Sequence, residues 1–314
     1  MSVLLKNDIL LAKIETGYGV DTAPSSTDFV EAMDLSVSIT GETLERNLNR
    51  GSLSAISSKV GKRYVDISFS SELKGSGTEG IAPNIGKLFQ ACAFSETVVA
   101  DTSVTYKPIS ADIPSLTFYF YEKLTSTTSK LTKVTGCRGT FTMDFSASEI
   151  AKVSFDFKGL YNEPTDVTTP STPNFGTIKP PIVENSAFTF NSNTSLIVQQ
   201  LSLDLGNGVV MSDDINANAG IGQIFINSRS MSGNFNPEVV SVSAYNWYTD
   251  WESATSRSLS LGIGSVAGNI VDISVPEVTV TSLSSGERDG LRTMEVPFQV
   301  SSDAGNEDIT IGFT

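Results

Sequence analysis

The segment YVDISFSS, residues 64–71, determines the fold that the sequence predicts. Its apolar side chains, Val65, Ile67 and Phe69, alternate with polar ones. Because successive side chains of a β-strand point to opposite faces of the sheet, this alternation predicts a strand with one face in a core and the other in water. A helix would instead place its apolar residues three or four positions apart.

Similar segments recur along the chain and are separated by Gly, Asn and Pro. They are LTFYFYEKL (116–124), GTFTMDFSA (139–147), KVSFDFKGL (152–160), RTMEVPFQV (292–300) and EDITIGF (307–313). Many short strands with turn residues between them are typical of a β-sandwich or barrel. The sequence therefore predicts a mainly all-β fold.

Two short stretches have helical spacing instead. Pro83 suits the first turn of one helix, and Ser243 is the expected N-cap of the other. Apolar stripes at this spacing are more often core than ligand site, so we expect them to pack the helices onto the sheets. The residues expected to do so are Ile85, Leu88 and Phe89 in the first helix and Trp247 and Trp251 in the second.

The chain contains a faint internal repeat. Leu35 corresponds to Leu201 and Phe69 to Phe235 at the same offset, 201 − 35 = 166. Further on, residues 136–138 face residues 290–292, and residues 153–157 face residues 309–313, at shorter offsets. The alternative is a similar strand pattern in two unrelated β-domains.

A proline-rich segment, residues 162–185, separates the two copies. Proline removes ladder donors and stiffens an extended chain, so this segment is expected to be a linker. We therefore expect a first β-domain at residues 1–161, with an N-terminal arm at residues 1–28, and a second β-domain at residues 186–314. Each is expected to be a sandwich or barrel with one short flanking helix.

Charge and composition disfavour several functions. The net charge is −14, from 35 acidic and 21 basic residues, which disfavours adhesion to nucleic acid or an anionic membrane. No histidine is present, so the commonest general base and metal ligand is missing. Cys92 and Cys137 are expected to be buried thiols. We expect no enzymatic activity, no cofactor, no metal and no membrane span.

Two motifs suggest ligand sites and are interpreted as turns. GSGTEG, residues 75–80, fits a dinucleotide-binding spacing, but the preceding strand alternates, whereas a central parallel strand is continuously apolar. DINANAG, residues 214–220, resembles the start of a calcium loop, but Phe225 stands where a bidentate acid is required.

Three stretches resemble the tail tube (major tail) proteins of long-tailed, siphovirus-type bacteriophages. They are LLAKIETGYGVDTAPSSTDFVEAMDLSVS (10–38), SSELKGSGTEGIAPNIGKLFQACAFSE (70–96), and DGLRTMEVPFQV (289–300) with the closing ITIGFT (309–314). The resemblance implies a structural protein of the virion tail, assembled in the host cytoplasm, whose subunits form stacked rings around a channel for DNA ejection. The implied partners are further copies of the chain, the tape measure protein, and the tail terminator and distal tail proteins.

If the repeat is real, three chains would close a pseudo-hexameric ring with an acidic lumen. Without true duplication, a ring of six chains is expected. The loop at residues 40–62 has too few apolar residues for a core element and is expected to contact the adjacent ring, although a mobile loop is the alternative. The candidate contacts are Leu44, Leu48, Leu53 and Ile56. Residues 206–222 would act similarly in the second copy.

Two other classes of protein fit the composition. A capsid decoration or fibre subunit would also be β-rich, but would assemble as surface caps or spikes. A glycan-cleaving enzyme would require two acids that converge in a cleft, which the sequence does nothing to support.

Overall fold

The structure, a computed structural model, describes residues 7–171 and 176–314. The predicted all-β fold is confirmed. In the described part there are two helices, Gly86–Ala91 (α1) and Trp247–Glu252 (α2), and a 3-10 turn at Ser26–Asp28. Residues 1–6 of the N-terminal arm and residues 172–175 of the proline-rich segment lie outside the described residues.

The strands follow one another in two series. The first half of the chain contains β1 (Ile9–Ile14), β2 (Met33–Leu44), β3 (Lys59–Glu72), β4 (Phe94–Val99), β5 (Ser103–Pro108), β6 (Leu116–Lys123), β7 (Thr128–Ser146), β8 (Lys152–Tyr161) and β9 (Thr165–Thr168). The second half contains β10 (Ala187–Phe190), β11 (Val198–Asp204), β12 (Asn207–Asp213), β13 (Ile221–Arg229), β14 (Ser232–Pro237), β15 (Arg257–Ile263), β16 (Val271–Val280), β17 (Ser284–Arg288), β18 (Leu291–Val300) and β19 (Thr310–Phe313).

Two antiparallel sheets form a sandwich in the first half. One sheet has the order β2-β3-β8-β7, and the other has the order β1-β6-β7-β9. β7 belongs to both because it is 19 residues long. Phe69 of the first sheet meets Phe118 of the second with 6.3 Å between ring centroids, so the core lies between the sheets.

The second half repeats these pairings. Its sheets have the orders β11-β14-β18-β17 and β10-β15-β16-β19, with β16 and β17 in the place of β7. The hairpin of β4 and β5 is an addition to the first half, and β5 pairs with β19 of the second. The segment expected to be a linker contributes β9, which pairs with β7.

The pairings support the first expected offset and correct the later ones. Phe69 pairs with Phe155, and its equivalent Phe235 pairs with Val296. β8 therefore corresponds to β18, at 296 − 155 = 141, and β9 corresponds to β19. The expected match of residues 153–157 with 309–313, and that of residues 136–138 with 290–292, are wrong. The offset is already 141 at β6 and β15, where Phe120 pairs with Thr132 and Leu261 pairs with Ile273. It falls from 166 to 141 because the hairpin of β4 and β5 adds residues to the first half between β3 and β6.

The glycines of residues 75–80 join the two halves of the chain. The Gly77 N–H donates to the Gly268 carbonyl at 2.9 Å, and the Gly75 N–H donates to Asn269 Oδ1 at 2.9 Å. A Cβ atom on Gly75 would lie 2.1 Å from the Gly268 carbonyl oxygen. Glycine is therefore required here by a close backbone approach, as expected for a turn rather than a dinucleotide site.

We expect a pH-dependent contribution from Lys87 of α1. Its Nζ donates to the Asp28 and Phe29 carbonyls at 2.9 and 3.1 Å, and burial lowers its pKa from 10.5 to about 8, against the opposing charge of Asp28. Between these two values the unfolded chain holds the proton and the folded chain does not, so stability rises with pH through this window. Between pH 7 and pH 10 the free energy of unfolding of the wild type should rise by about 2–3 kcal/mol relative to that of Lys87→Met.

Urea unfolding of both proteins at the two pH values measures this difference. Lys107→Met removes an exposed lysine and is the control. A difference between wild type and Lys87→Met that does not change with pH would show that Lys87 keeps its proton.

Candidate assembly surfaces

β7 and β11 join the two halves into one sheet. Their register runs from Gln200 opposite Ser146 to Asp204 opposite Thr142, and the N–H of Leu205 donates to the Phe141 carbonyl at 3.1 Å. The result is a sheet of eight strands in the order β2-β3-β8-β7-β11-β14-β18-β17, called here the long sheet. A sheet edge of each half is covered by the other half at this joint.

The second hairpin, formed by β12 and β13 at residues 207–229, lies on the first half. Its base is fixed by Asn207, whose Nδ2 donates to the Cys92 carbonyl at 2.9 Å and to the Gly139 carbonyl at 3.0 Å. Ile221 and Ile224 are 3% and 0% exposed. The hairpin is therefore a packed element of the joint.

Arg138 connects β7 to the second hairpin. Its Nη1 donates to the Ile224 carbonyl at 3.0 Å and its Nη2 donates to the Ile113 carbonyl at 2.6 Å. The guanidinium lies 5.1 Å from the centre of the Tyr18 ring. Burial lowers the pKa of Arg138 and raises the pKa of Tyr18 to about 12, so the pair is a cation on a neutral ring at physiological pH.

The tip of the second hairpin reaches the beginning of β3. The Arg63 N–H donates to the Ala219 carbonyl at 3.1 Å, and Lys62 pairs with Asp213 at 2.7 Å. Asp214 closes the tip by accepting the Asn216 N–H at 2.8 Å. These residues form an Asx turn, which was the alternative to a calcium loop.

The two ends of the long sheet are edges. In residues 7–171 and 176–314, β2 pairs with β3 alone and β17 pairs with β18 alone. Equivalent residues of a paired strand and of an edge strand therefore differ in their exposed fraction. Leu205 is 1% exposed because β7 covers it, whereas Ile39, its equivalent in β2, is 48% exposed. An apolar residue of a core strand is thus left in water at the edge.

The first hairpin, the ends of β2 and β3 with the loop between them at residues 39–63, extends from this edge. Residues 45–58 have no regular secondary structure. The candidate ring contacts lie here: Leu44, Leu48 and Leu53 are 48%, 54% and 107% exposed, and Ile56 is half-buried. The structure places Leu44 at the end of β2 and the other three in the loop that follows it, and leaves their contacts in an assembly a prediction.

The helix residues do not all lie where they were expected. Ile85, Leu88, Phe89 and Trp247 are buried, with at most 6% exposed. Trp251 is 45% exposed, which corrects its expected place in the core. Asn246, and not Ser243, is the N-cap of α2. The helix buries the side that carries Trp247 and Asp250, whose carboxylate accepts hydrogen bonds from Tyr245 and Arg257. Trp251 is therefore turned outward, and its Nε1 reaches the Thr281 carbonyl at 3.1 Å.

The face of the long sheet opposite the core is polar. Six acids and two lysines lie on this polar face, and the lysine Lys158 pairs with Asp66 at 2.7 Å. Its residues alternate with the buried ones along β3, β7, β8, β11, β14 and β18: Asp66, Ser68, Ser70, Glu72, Thr140, Thr142, Asp144, Lys152, Ser154, Asp156, Lys158, Gln200, Ser202, Asp204, Ser232, Asn234, Asn236, Glu295, Pro297 and Gln299.

Two edges of one sheet, a surface loop with exposed leucines and a polar face are features of a subunit that joins others. A protein-family model described as phage tail tube protein matches residues 7–312. The chain belongs to the phage tail tube protein family. It is a structural component of the virion tail, and the family implies self-assembly into the tail and association with other tail components.

The comparison with curated proteins gave no match. Within the described residues, no helix of this tail tube protein has the length and apolar character needed to cross a membrane. The family found is a tail protein family and not one of decoration or fibre subunits.

Sequence reasoning missed the residues of the joint itself. Arg138 was noted only as part of the repeat, and β17 was not recognised as a strand. Ile39 and Leu205 are the residues from which the free edge could have been predicted. They are equivalent and apolar, so each is expected to be covered by a neighbouring strand.

Proposed function

We propose that three chains of this tail tube protein close a ring, in which β2 of each chain pairs with β17 of the next. The observation that carries the proposal is the joint of β7 and β11. β2 is the equivalent of β11, and β17 is the equivalent of the end of β7. The two free edge strands are therefore the equivalents of the two strands that pair at this joint. The same surfaces repeated head to tail give a closed ring with pseudo-sixfold symmetry.

The repeated pairings support the division of the chain into two related β-domains, which make two of the six positions in the ring. We propose that rings stack through the loop at residues 45–58, because Leu48 and Leu53 are exposed there. Apolar side chains of this kind are typical of contact surfaces. The remaining proposed partners are the tape measure protein and the tail terminator and distal tail proteins.

We propose that the polar face lines the bore. The second sheet of each sandwich lies on the other side of the core, so a closed long sheet turns its polar face inward. Six acids against two lysines repel phosphate, and two lysines are too few to neutralise the phosphate contacts that hold DNA on a protein surface. DNA would pass without binding, and the chain would act as a structural protein rather than an enzyme.

The register of the proposed joint follows from the joint within the chain. Asp204 pairs with Thr142, and the equivalent of Asp204 is Ser38. Thr142 pairs with Ser154 of β8, and Ser284 pairs with Glu295 of β18. Because Ser154 and Glu295 are equivalent, Ser284 is the equivalent of Thr142. Ser38 of one chain should therefore lie opposite Ser284 of the next, on the polar face.

Ser38→Cys combined with Ser284→Cys is expected to form a disulfide between chains under mild oxidation. Asp204 and Thr142 are a pair that does not exchange hydrogen bonds, because the neighbouring Leu205 donates to Phe141. Such pairs bring Cα atoms to about 4.5 Å, which suits a disulfide. Cys92 and Cys137 are free and buried, so they should not interfere.

A non-reducing gel of the oxidised rings tests the proposal, and the ladder of linked chains should end at three. Ser36→Cys with Ser284→Cys is out of register by two residues and should crosslink weakly. A ladder that ends at six chains, or equal crosslinking of the two variants, would overturn the three-chain ring.

A further inference from the structure

Trp251 is an exposed aromatic residue beside a buried one. The protein has two tryptophans; Trp247 is 2% exposed and Trp251 is 45% exposed on the same short helix. The Nε1 of Trp251 donates to the Thr281 carbonyl, which fixes the indole on the surface. A large aromatic side chain held in this way is typical of an interface.

The base of the second hairpin is docked on a surface of the first half, called here the seat. Trp251 lies at the equivalent position of the second half. Thr281 faces Pro297 as Thr140 faces Asp156, and the offset of β8 and β18 (297 − 156 = 141) makes Thr281 the equivalent of Thr140. The Thr140 Oγ1 accepts the Asn207 N–H at 3.2 Å at the base of that hairpin. The Asn207 side chain also donates to the carbonyl of Cys92, which follows α1 as Ser253 follows α2. Thr281 and Ser253 are exposed. The seat is therefore filled in the first half and open in the second.

The first hairpin is the equivalent of the docked second hairpin, but it is not docked on a seat in its own chain. Besides Ile39, Leu44 and Val60 are 48% and 67% exposed, while their equivalents Val210 and Ile226 are half-buried. β2 and β17 lie at opposite ends of the long sheet. The first hairpin therefore does not reach the seat around Trp251 in its own chain.

We infer that the first hairpin of one chain docks on the second half of another copy, across Trp251 and Thr281. The docking repeats the contact that the second hairpin makes within the chain. It rests on the proposed ring, and it names the surface that extends each joint beyond β2 and β17. Trp251 takes part as an apolar contact that becomes covered when a ring closes.

Tryptophan fluorescence of the isolated chain and of assembled rings tests this inference. Trp251 should shift to shorter wavelength on assembly and become several-fold less accessible to acrylamide, because it leaves water for an apolar contact. Trp251→Phe leaves Trp247 as the sole emitter, and its spectrum should not change on assembly.

Val60→Glu places a charge in the proposed contact and should reduce the protection of Trp251. Val266→Glu is the matched control, because Val266 is also 67% exposed and lies in a loop outside both surfaces. The crosslink between positions 38 and 284 reports separately on the ring. Crosslinked rings in which Trp251 stays accessible would overturn the docking and leave the ring intact, and the absence of crosslinked rings would overturn both.

Discussion

Replacing Val37 with proline is expected to leave the chain folded but unable to form rings. Every second residue of an antiparallel strand faces the same side, and Leu205 directs its N–H to β7. The equivalent N–H groups of β2, those of Val37 and Ile39, therefore point to the free edge. Proline at position 37 removes one of these donors. The single chain should tolerate it, because the lost N–H faces the free edge and not β3.

The loss should be about 2 kcal/mol or more at each joint, which weakens each contact about 30-fold, and three joints must close together. Light scattering after size-exclusion chromatography and negative-stain microscopy measure the assembly. Ser38→Pro is the matched control, because the N–H of Ser38 faces β3 and its loss should destabilise the single chain. Rings of Val37→Pro that form at wild-type concentration would show that the edge of β2 is not a joint.

Phe89→Ala should have the largest effect on the stability of the single chain, about 3–5 kcal/mol. Phe89 is fully buried on α1, and its ring centroid lies 5.2 Å from that of Phe141, 5.4 Å from Tyr106 and 5.8 Å from Phe155. Its removal leaves a cavity that these rings, fixed in separate strands, do not fill.

Urea unfolding at a concentration that keeps the chain monomeric measures the loss. Trp251→Ala removes a larger side chain but should cost about 1 kcal/mol, because this side chain is half in water and loses one hydrogen bond. Equal losses for the two variants would contradict the different places that the structure assigns to the two helix residues.

The sequence predicted the strands well because one pattern, alternation, decides them. Val65, Ile67 and Phe69 are buried as the alternation required, and the helix spacing found Ile85, Leu88 and Phe89. The spacing failed for Trp251 because it marks apolar residues alone, and the core-facing place beside Trp247 is taken by Asp250, which is buried through its hydrogen bonds from Tyr245 and Arg257.

The joints could not be predicted in the same way. The pairing of β7 with β11 depends on residues 54 or more positions apart, and nothing local in the sequence of either strand specifies the partner. The offset of the repeat was correct as far as Phe235, and beyond it the hairpin of β4 and β5, an addition to the first half, lowers the offset from 166 to 141. Alternating strands match at any even shift, so the pattern alone did not fix the register.

The pairing of β7 with β11 on a single chain also changes how assembly begins. This contact forms as the chain folds, so it costs none of the translational and rotational freedom that two separate molecules lose when they associate. Three such chains would close a ring with three joints between molecules, where six single-domain chains would need six. The critical concentration for the first ring is expected to be correspondingly lower, because half of the contacts are made at the effective concentration set by a covalent connection.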